Sequence, residues 1–137
     1  MLRRLDELAH AREDLAFEST LAGRSVHGRL TDLAGIGYDV HIFYLWLPSP
    51  DLAVARVRWR VETGGHDVPE PVIRRRFWKS LANFDRLYRP VTTTWRLYDG
   101  SALGGRPLIA HGTGIGEPTI ADEPKWREIR QRIGEFA

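Results

Sequence analysis

Cysteine is absent from the 137 residues, so the chain forms no disulfide and offers no thiolate to a metal ion. Lysine is nearly absent as well, because among 20 basic residues only Lys79 and Lys125 are not arginine. Arginine is the better bidentate ligand for phosphate, although a GC-rich genome would enrich arginine codons too. The formal net charge of +2 is too small to indicate nucleic-acid binding by itself.

Long hydrophobic runs are also missing. The longest run, residues 40–47, carries His41 and is too short to span a bilayer. The charged start of the chain, residues 1–12, lacks the apolar stretch of a signal peptide. We therefore expect a soluble cytoplasmic protein without a membrane partner.

Several common catalytic motifs are absent. There is no Gly-Lys-Ser/Thr ending of a Walker A loop, no HExxH pair for zinc and no Gly-x-Ser-x-Gly elbow. The glycine-rich residues 112–117 (GTGIGE) are not a dinucleotide fingerprint, because that motif needs glycine where Glu117 stands. We interpret them as a flexible turn.

Hydrophobic periodicity predicts alternating helices and strands. Helices are expected over residues 1–12, 21–34, 50–63, 68–88 and 122–133, and strands over residues 15–17, 40–47, 95–98 and 107–110. This order predicts one α/β domain with a parallel sheet, in which residues 107–110 could form a hairpin with 95–98. Residues 40–47 (VHIFYLWL) are almost continuously apolar, as expected of a strand covered on both faces.

Glu18, Ser19 and Thr20 follow the short predicted strand at residues 15–17. Ligands of open α/β sheets bind at the carboxyl ends of the strands, where a carboxylate can accept hydrogen bonds from sugar hydroxyls. The alternative is structural: Ser19 or Thr20 caps the next helix, and Glu18 is solvated.

Arg56 and Arg60 lie four residues apart on a predicted helix and therefore share a face, whereas Arg58 points elsewhere. Two guanidinium groups on one face suit an anion such as a triphosphate, whose charge they would neutralise during phosphoryl transfer. The alternative is a solvated basic face, paired in part with Glu62.

The linker at residues 64–69 joins this helix to the next and begins with paired glycines. Such a linker is typical of a lid that closes over a nucleotide, although an ordinary helix end would use the same glycines. The helix predicted over residues 68–88 has an apolar stripe formed by Ile73, Phe77, Leu81, Phe84 and Tyr88. In its arginine run at residues 74–76, Arg76 lies beside this stripe, and its side chain points toward the expected nucleotide cleft or snorkels. The surrounding strands argue against a helix-turn-helix, so nucleic acid is not the expected partner.

Three segments in this order, FESTLAG, GYDVHIFYLWLPSPDLAVARVRWRV and GGHDVPEPVIRRRFWKSLANFDRLY, together with WRLYDGS, carry a family resemblance. Over residues 5–110 the chain resembles the zeta-toxin family of P-loop kinases, especially its chromosomal bacterial branch. The resemblance implies a kinase that uses ATP and Mg²⁺ to phosphorylate a nucleotide sugar, UDP-N-acetylglucosamine in the toxins, at the sugar 3′-hydroxyl.

The resemblance also implies roles for individual residues. Glu18 and Thr20 correspond to the sugar-nucleotide site, and Arg56, with Arg60 less directly, corresponds to the phosphate-binding arginines of a lid at residues 56–69. His66 stands where the toxins carry another lid arginine, and neutral imidazole is a poor replacement for guanidinium. The expected site therefore comprises acceptor-binding Glu18, Thr20 and His66, phosphate-binding Arg56, Arg60 and Arg76, and catalytic roles for Arg56 and Arg60.

One part of the family pattern is not found. The family opens with a strand, a Walker A loop with its lysine, and a carboxylate proposed as general base, and none of these precedes Met1. We therefore expect an incomplete kinase domain with negligible turnover, from a gene that begins upstream of Met1. The alternative is a non-catalytic remnant that binds a partner such as an antitoxin.

Overall fold

The computed structural model describes residues 13–101 and 104–135. The helix predicted at residues 1–12 lies outside the described residues. The principal elements are, in chain order, α1 (Ser25–Gly35), β1 (His41–Trp46), α2 (Pro50–Glu62), α3 (Glu70–Asn83), β2 (Thr94–Asp99), β3 (Leu108–Gly112), β4 (Thr119–Ile120) and α4 (Glu123–Glu135). None of the described helices is long and apolar enough to cross a membrane.

The four strands form one sheet in the order β1-β2-β3-β4. β1 and β2 are parallel, with Trp46 paired to Asp99, whereas β2–β3 and β3–β4 are antiparallel. The α/β class is thus confirmed, and so is the hairpin of β2 with β3. The sheet is therefore mixed: the predicted parallel pairing is found between β1 and β2, but not at β2–β3, where the connection is too short for the crossover that a parallel pair needs.

The strand predicted at residues 15–17 does not form, since residues 13–22 have no regular secondary structure. Leu15 and Phe17 are half-buried and pack against the main core, while Ala16 is exposed. The alternation of burial resembles that of a strand, but these residues pair with none of the described strands. Side-chain packing therefore holds this segment without a ladder of backbone hydrogen bonds.

β1 has one covered face and one open face. Ile42, Tyr44 and Trp46 point toward the core, whereas Phe43 and Leu45 are 65% and 41% exposed. The prediction that β1 is covered on both faces is therefore wrong for the part of the chain that the structure describes. The sequence of the apolar run could not reveal the open face, because the same apolar residues occur on strand faces that a helix covers and on faces that remain exposed.

The crossover from β1 to β2 consists of α2 and α3. Ser49 caps α2, its hydroxyl accepting a hydrogen bond from the Leu52 amide at 3.4 Å, with Pro50 in the first turn. Val54 and Val57 of α2 pack against Ile73 of α3 in a small separate cluster. This cluster sets the rotation of α2 about its axis and so decides which side chains face the sheet.

The helix α3 ends earlier than the predicted residue 88, because its last turns change geometry. A π-helical turn, Phe84–Tyr88, follows α3 and leads into the 3₁₀ turn Arg89–Val91. Phe84 and Tyr88 are 3% and 0% exposed, so the predicted apolar stripe continues through the π turn into the main core.

Trp95 is the centre of that core and is fully buried. Its ring stacks on Trp126 at 6.0 Å between centroids and meets Phe84 edge-on at 5.8 Å. The Arg89 guanidinium lies 4.7 Å from the ring centroid. Gly112 passes so close that an added Cβ would lie 3.0 Å from the indole, which explains glycine at that position.

Candidate functional site

The parallel strands β1 and β2 end side by side, and the chain beyond them is tightly joined. The Gly100 amide donates a hydrogen bond to the Trp46 carbonyl at 2.7 Å. A Cβ at Gly100 would lie 3.1 Å from that carbonyl oxygen and 3.2 Å from the Leu47 side chain. Open α/β sheets bind ligands at the carboxyl ends of their parallel strands, so this edge of the sheet is a candidate ligand-binding site.

Arg56 reaches this edge from α2. Its Nη2 donates a hydrogen bond to the Gly100 carbonyl, which fixes the guanidinium beside the strand ends. A guanidinium has five N–H donors, so a single bond to a carbonyl leaves others for a bound anion. The structure therefore places one sequence-predicted residue at the expected end of the sheet.

Arg60 and Arg58 behave differently from Arg56. Arg60, one helical turn further along α2, is exposed, and its side chain has no polar partner among the described residues. Arg58 points elsewhere, as its position on the helix predicted, and forms an ion pair with Glu70 at 2.9 Å. The alternative of a solvated basic face suggested an ion pair with Glu62. The described contacts contain no such pair; Arg58 instead pairs with Glu70 on the next helix.

The paired glycines after α2 close its last turn. The Gly65 amide donates to the Arg60 carbonyl at 2.6 Å, and a Cβ at Gly65 would lie 2.9 Å from that oxygen. Gly64 has φ of +99°, a left-handed conformation that favours glycine. The two glycines therefore have the geometry of an ordinary helix end, which is the alternative to a lid hinge that the sequence left open. His66, in the linker that follows, is exposed.

The arginine run on α3 divides into one paired and two exposed side chains. Arg74 bridges Asp51 at 2.6 Å and Glu70 at 2.9 Å, and these hydrogen bonds raise the pKa of Arg74. Arg75 and Arg76 are exposed. Arg76 therefore lies on the surface, with no described contact to the carboxyl edge of the sheet.

Glu18, Ser19 and Thr20 are exposed at the start of a tight loop. The Ser19 and Thr20 hydroxyls accept hydrogen bonds from the amides of Leu21 and Ala22 at 3.1 and 3.3 Å. They therefore cap turns of their own loop, and the prediction that one of them caps the next helix is wrong. α1 begins later than predicted, at Ser25, and has no side-chain cap.

The loop that follows is held in an uncommon conformation. Leu21 has φ of +58°, which costs a residue with a Cβ roughly 1–2 kcal/mol. The Asn83 amide group donates to the carbonyls of Leu21 and Ala22 at 2.8 and 3.2 Å, and the Tyr88 hydroxyl donates to Gly23 at 2.8 Å. These side chains occupy carbonyls that a helix beginning at residue 21 would have needed.

A chain of hydroxyl groups anchors the same loop to β1. Ser80 donates its proton to the Thr20 carbonyl, so the Tyr44 hydroxyl, 2.9 Å from the Ser80 oxygen, must donate to Ser80. Burial raises the pKa of Tyr44 to about 12, and the hydrogen bond with Ser80 offsets this only in part. Tyr44 is therefore neutral at physiological pH and keeps its proton for this network.

Residues 13–20 run in the direction of β1. The Glu13 carbonyl accepts a hydrogen bond from Tyr38, which precedes β1, whereas Thr20 is linked through Ser80 to Tyr44 within the strand. No described hydrogen bond or ion pair joins Glu18 or Thr20 to Arg56 or Arg60, so the structure anchors the two groups separately.

A buried carboxylate beside Gly100 forms an ion pair for which the sequence gives no local signal. Asp99 is 2% exposed, and its carboxylate accepts hydrogen bonds from Lys125 at 2.5 Å and from the amide and hydroxyl of Ser101 at 2.9 and 2.6 Å. Burial opposes ionisation of Asp99, but the bonds from Lys125 and Ser101 outweigh it, so the pKa of this carboxyl is lowered. The pair lies 26 residues apart in sequence, and nothing local signalled it.

The described residues do not by themselves fit a Mg²⁺–ATP site. No group of three or more His, Asp or Glu side chains within them could hold a metal ion. Asp99, at the carboxyl end of β2, is buried and already accepts three hydrogen bonds from Lys125 and Ser101. A Walker A lysine is missing from the sequence. We therefore derive no metal-dependent step from this arrangement.

Replacing Asn83 with alanine should lower the free energy of unfolding by about 1–2 kcal/mol, because two backbone carbonyls of the loop lose their donor. Urea denaturation followed by circular dichroism measures the change. Ser25→Ala serves as the control, since Ser25 is exposed and makes no cap, and it should change stability by less than about 0.5 kcal/mol. Equal effects of the two substitutions would contradict the anchoring role of Asn83.

Comparison with known proteins gives little further guidance. No family model matches the chain, and no solved structure matches it. An uncharacterized protein of Haemophilus influenzae is 33% identical over 60 residues, which make up 44% of this chain and 43% of the relative. The chain therefore spans less than half the length of the relative that it matches.

Proposed function

We propose that this chain carries the acceptor-binding and lid region of an ATP-dependent phosphotransferase of the zeta-toxin type, with a P-loop kinase fold and a nucleotide sugar such as UDP-N-acetylglucosamine as acceptor. The observation that supports this most directly is Arg56, which a bond to Gly100 holds at the carboxyl ends of the parallel strands. Arg60 lies on the same side of α2 and, having no polar partner within residues 13–101 and 104–135, can bind an anion.

In this proposal the two arginines stabilise negative charge on the phosphoryl group as it moves to the sugar hydroxyl. Glu18 is exposed and can accept hydrogen bonds from sugar hydroxyls. The Thr20 hydroxyl accepts one bond from Ala22 and keeps its proton to donate. Because Ser80, Asn83 and Tyr88 fix the backbone of this loop, its polar groups are preorganised for a ligand.

The test is binding of UDP-N-acetylglucosamine to the ¹⁵N-labelled 137-residue chain. We expect saturable shifts of amides in residues 18–23 and in α2. Glu18→Gln and Arg60→Gln should each weaken binding about tenfold, as expected for loss of a hydrogen bond to a charged group. Arg60→Gln is informative because this side chain has no described partner whose loss could disturb the fold.

Glu128→Gln and Arg127→Gln on α4 are the matched controls, since both side chains are exposed. ADP release should be negligible, because the sequence has no Walker A loop. Absence of saturable binding, or equal losses in the control variants, would refute the assignment of the acceptor site. Robust ADP release from these 137 residues would refute the view that this chain lacks its catalytic loop.

The second candidate is a non-catalytic protein that binds a partner such as an antitoxin. Exposed apolar side chains favour it: Phe43 on β1 is 65% exposed and Trp59 on α2 is 64% exposed. Its test is co-purification with the product of a short reading frame next to the gene. A stable complex without any binding of UDP-N-acetylglucosamine would select this candidate over the kinase.

A further inference from the structure

The open face of the sheet contains a cleft that the proposed kinase site does not use. Its polar lining comes from β2, β3, β4 and the turn between β3 and β4, and comprises Thr94, Arg96, His111, Thr113, Glu117 and Thr119. The cleft has a volume of about 260 Å³, which suits a ligand smaller than a drug-sized molecule. It lies at the amino end of β2, whereas Arg56 binds beyond the carboxyl end of that strand.

Two basic side chains stand next to each other in this cleft. Arg96 and His111 are directly paired across β2 and β3 and therefore point to the same face of the sheet. Arg96 is exposed, and neither side chain has a polar partner among the described residues. A guanidinium without a partner in a concave surface keeps all its donors for an anion.

Hydroxyl groups surround the basic pair. Thr119 is paired with His111 across β3 and β4, and Thr94 is two residues before Arg96 on the same face. The Thr94 hydroxyl is also 2.6 Å from Nδ1 of His41, which fixes its position. Together with Thr113, these threonines place hydroxyl groups around the charged guanidinium of Arg96.

The wall of the cleft is well fixed. The turn at residues 113–116 closes with a bond from the Gly116 amide to the Thr113 carbonyl at 3.0 Å. The Trp95 indole donates to the Gly114 carbonyl at 3.1 Å, so the central core residue holds the same turn. Glu117 follows the turn and is the one carboxylate that the described part of the chain contributes to the lining. A ligand that matches this lining has an anionic group at one end and a hydroxyl group that donates a hydrogen bond to the Glu117 carboxylate.

We propose that this cleft binds a small hydroxylated phosphate monoester, with its phosphate on Arg96 and His111 and a hydroxyl on Glu117. Phosphate fits better than carboxylate because its three terminal oxygens can accept from the guanidinium, the imidazole and the threonine hydroxyls together. The proposal does not depend on kinase activity, since none of these side chains belongs to the site at the carboxyl edge.

The test is an NMR titration of the ¹⁵N-labelled chain in about 0.15 M salt, where loosely held surface ions are screened. Glycerol 3-phosphate is the hydroxylated probe, inorganic phosphate is the probe without a carbon skeleton, and acetate is the carboxylate control. We expect saturable shifts in residues 94–96 and 111–119 with a millimolar dissociation constant for inorganic phosphate. Glycerol 3-phosphate should bind several-fold more tightly, and acetate should not saturate.

Variants then separate the two ends of the ligand. Arg96→Gln should weaken both phosphate probes at least tenfold, whereas Glu117→Gln should weaken only glycerol 3-phosphate, to the level of inorganic phosphate. Arg86→Gln is the control, because Arg86 is an exposed arginine outside the cleft. The spectrum of each free variant reports whether it remains folded.

Shifts that rise linearly with concentration, or that persist in folded Arg96→Gln, would overturn the phosphate site. Equal loss of both probes in folded Glu117→Gln would overturn the hydroxyl assignment. Neither result depends on UDP-N-acetylglucosamine. If the phosphate probes did not bind the cleft, the proposed acceptor site could still be correct. If UDP-N-acetylglucosamine did not bind, the proposed phosphate site in the cleft could still be correct.

Discussion

Replacing Trp95 with alanine is expected to lower the free energy of unfolding by about 3–5 kcal/mol, the usual cost of removing a large buried aromatic ring. The indole is fully buried, contacts Phe84 and Trp126, and donates a hydrogen bond to the Gly114 carbonyl. Small domains are stable by only about 5–15 kcal/mol, so this substitution should remove a large part of the total. Urea denaturation monitored by circular dichroism measures the shift in midpoint.

The chain contains a matched control for this prediction. Trp59 on α2 is 64% exposed, so Trp59→Ala removes the same side chain without opening a cavity. We expect a change within about 0.5 kcal/mol, as is usual for surface positions. If the two substitutions destabilised the protein equally, the packing described around Trp95 would be incorrect.

Asp99→Asn should destabilise the protein by about 2–3 kcal/mol, because a buried carboxylate that binds Lys125 and Ser101 loses its charge. Lys125 is partly solvated, which keeps the loss below that for a fully buried pair. Asp122→Asn is the control: its carboxylate lies 3.6 Å from the same Lys125, and asparagine caps α4 equally well. A larger effect at Asp122 would contradict the role given to Asp99.

The effect of Asp99 should depend on pH in a defined direction. Aspartate in unfolded chains has a pKa of about 3.9, and the pKa of Asp99 in the folded protein lies below its ordinary value. Ionised Asp99 therefore stabilises the fold fully above roughly pH 5, and this stabilisation is lost as the pH falls through the folded-state pKa. The stability difference between the native chain and Asp99→Asn should accordingly shrink in acid.

The sequence predicted those elements whose signals are local. Ser49 and Pro50 marked the start of α2, and the predicted helices at 50–63 and 122–133 match α2 and α4 within a few residues. The strand at 40–47 was found because its composition is strongly β-forming. The strand predicted at residues 15–17 does not form, because three apolar residues can pack against the core equally well with or without a neighbouring strand to pair with.

The candidate site was less predictable because contacts distant in sequence determine it. The spacing of residues on a helix correctly predicted that Arg58 and Arg56 point in different directions. The contact of Arg56 with Gly100 depends in addition on the packing of α2 on α3, which the spacing does not report. The loop after Glu18 departs from the predicted helix because Asn83 and Tyr88, more than sixty residues later, bind its carbonyls. The cleft on the open face depends on strand register, which no local motif reports.

The π-helical turn Phe84–Tyr88 has a consequence for insertions and deletions. A π turn contains one residue more than an α turn, so removing one residue there would restore regular helical geometry instead of breaking it. Side chains after the deletion would keep nearly the same direction, because the π turn accommodates its extra residue within one wider turn. A deletion within the regular part of α3 would instead rotate Tyr88 by about 100° around the helix axis, turn its hydroxyl away from the Gly23 carbonyl and so release the loop behind Glu18.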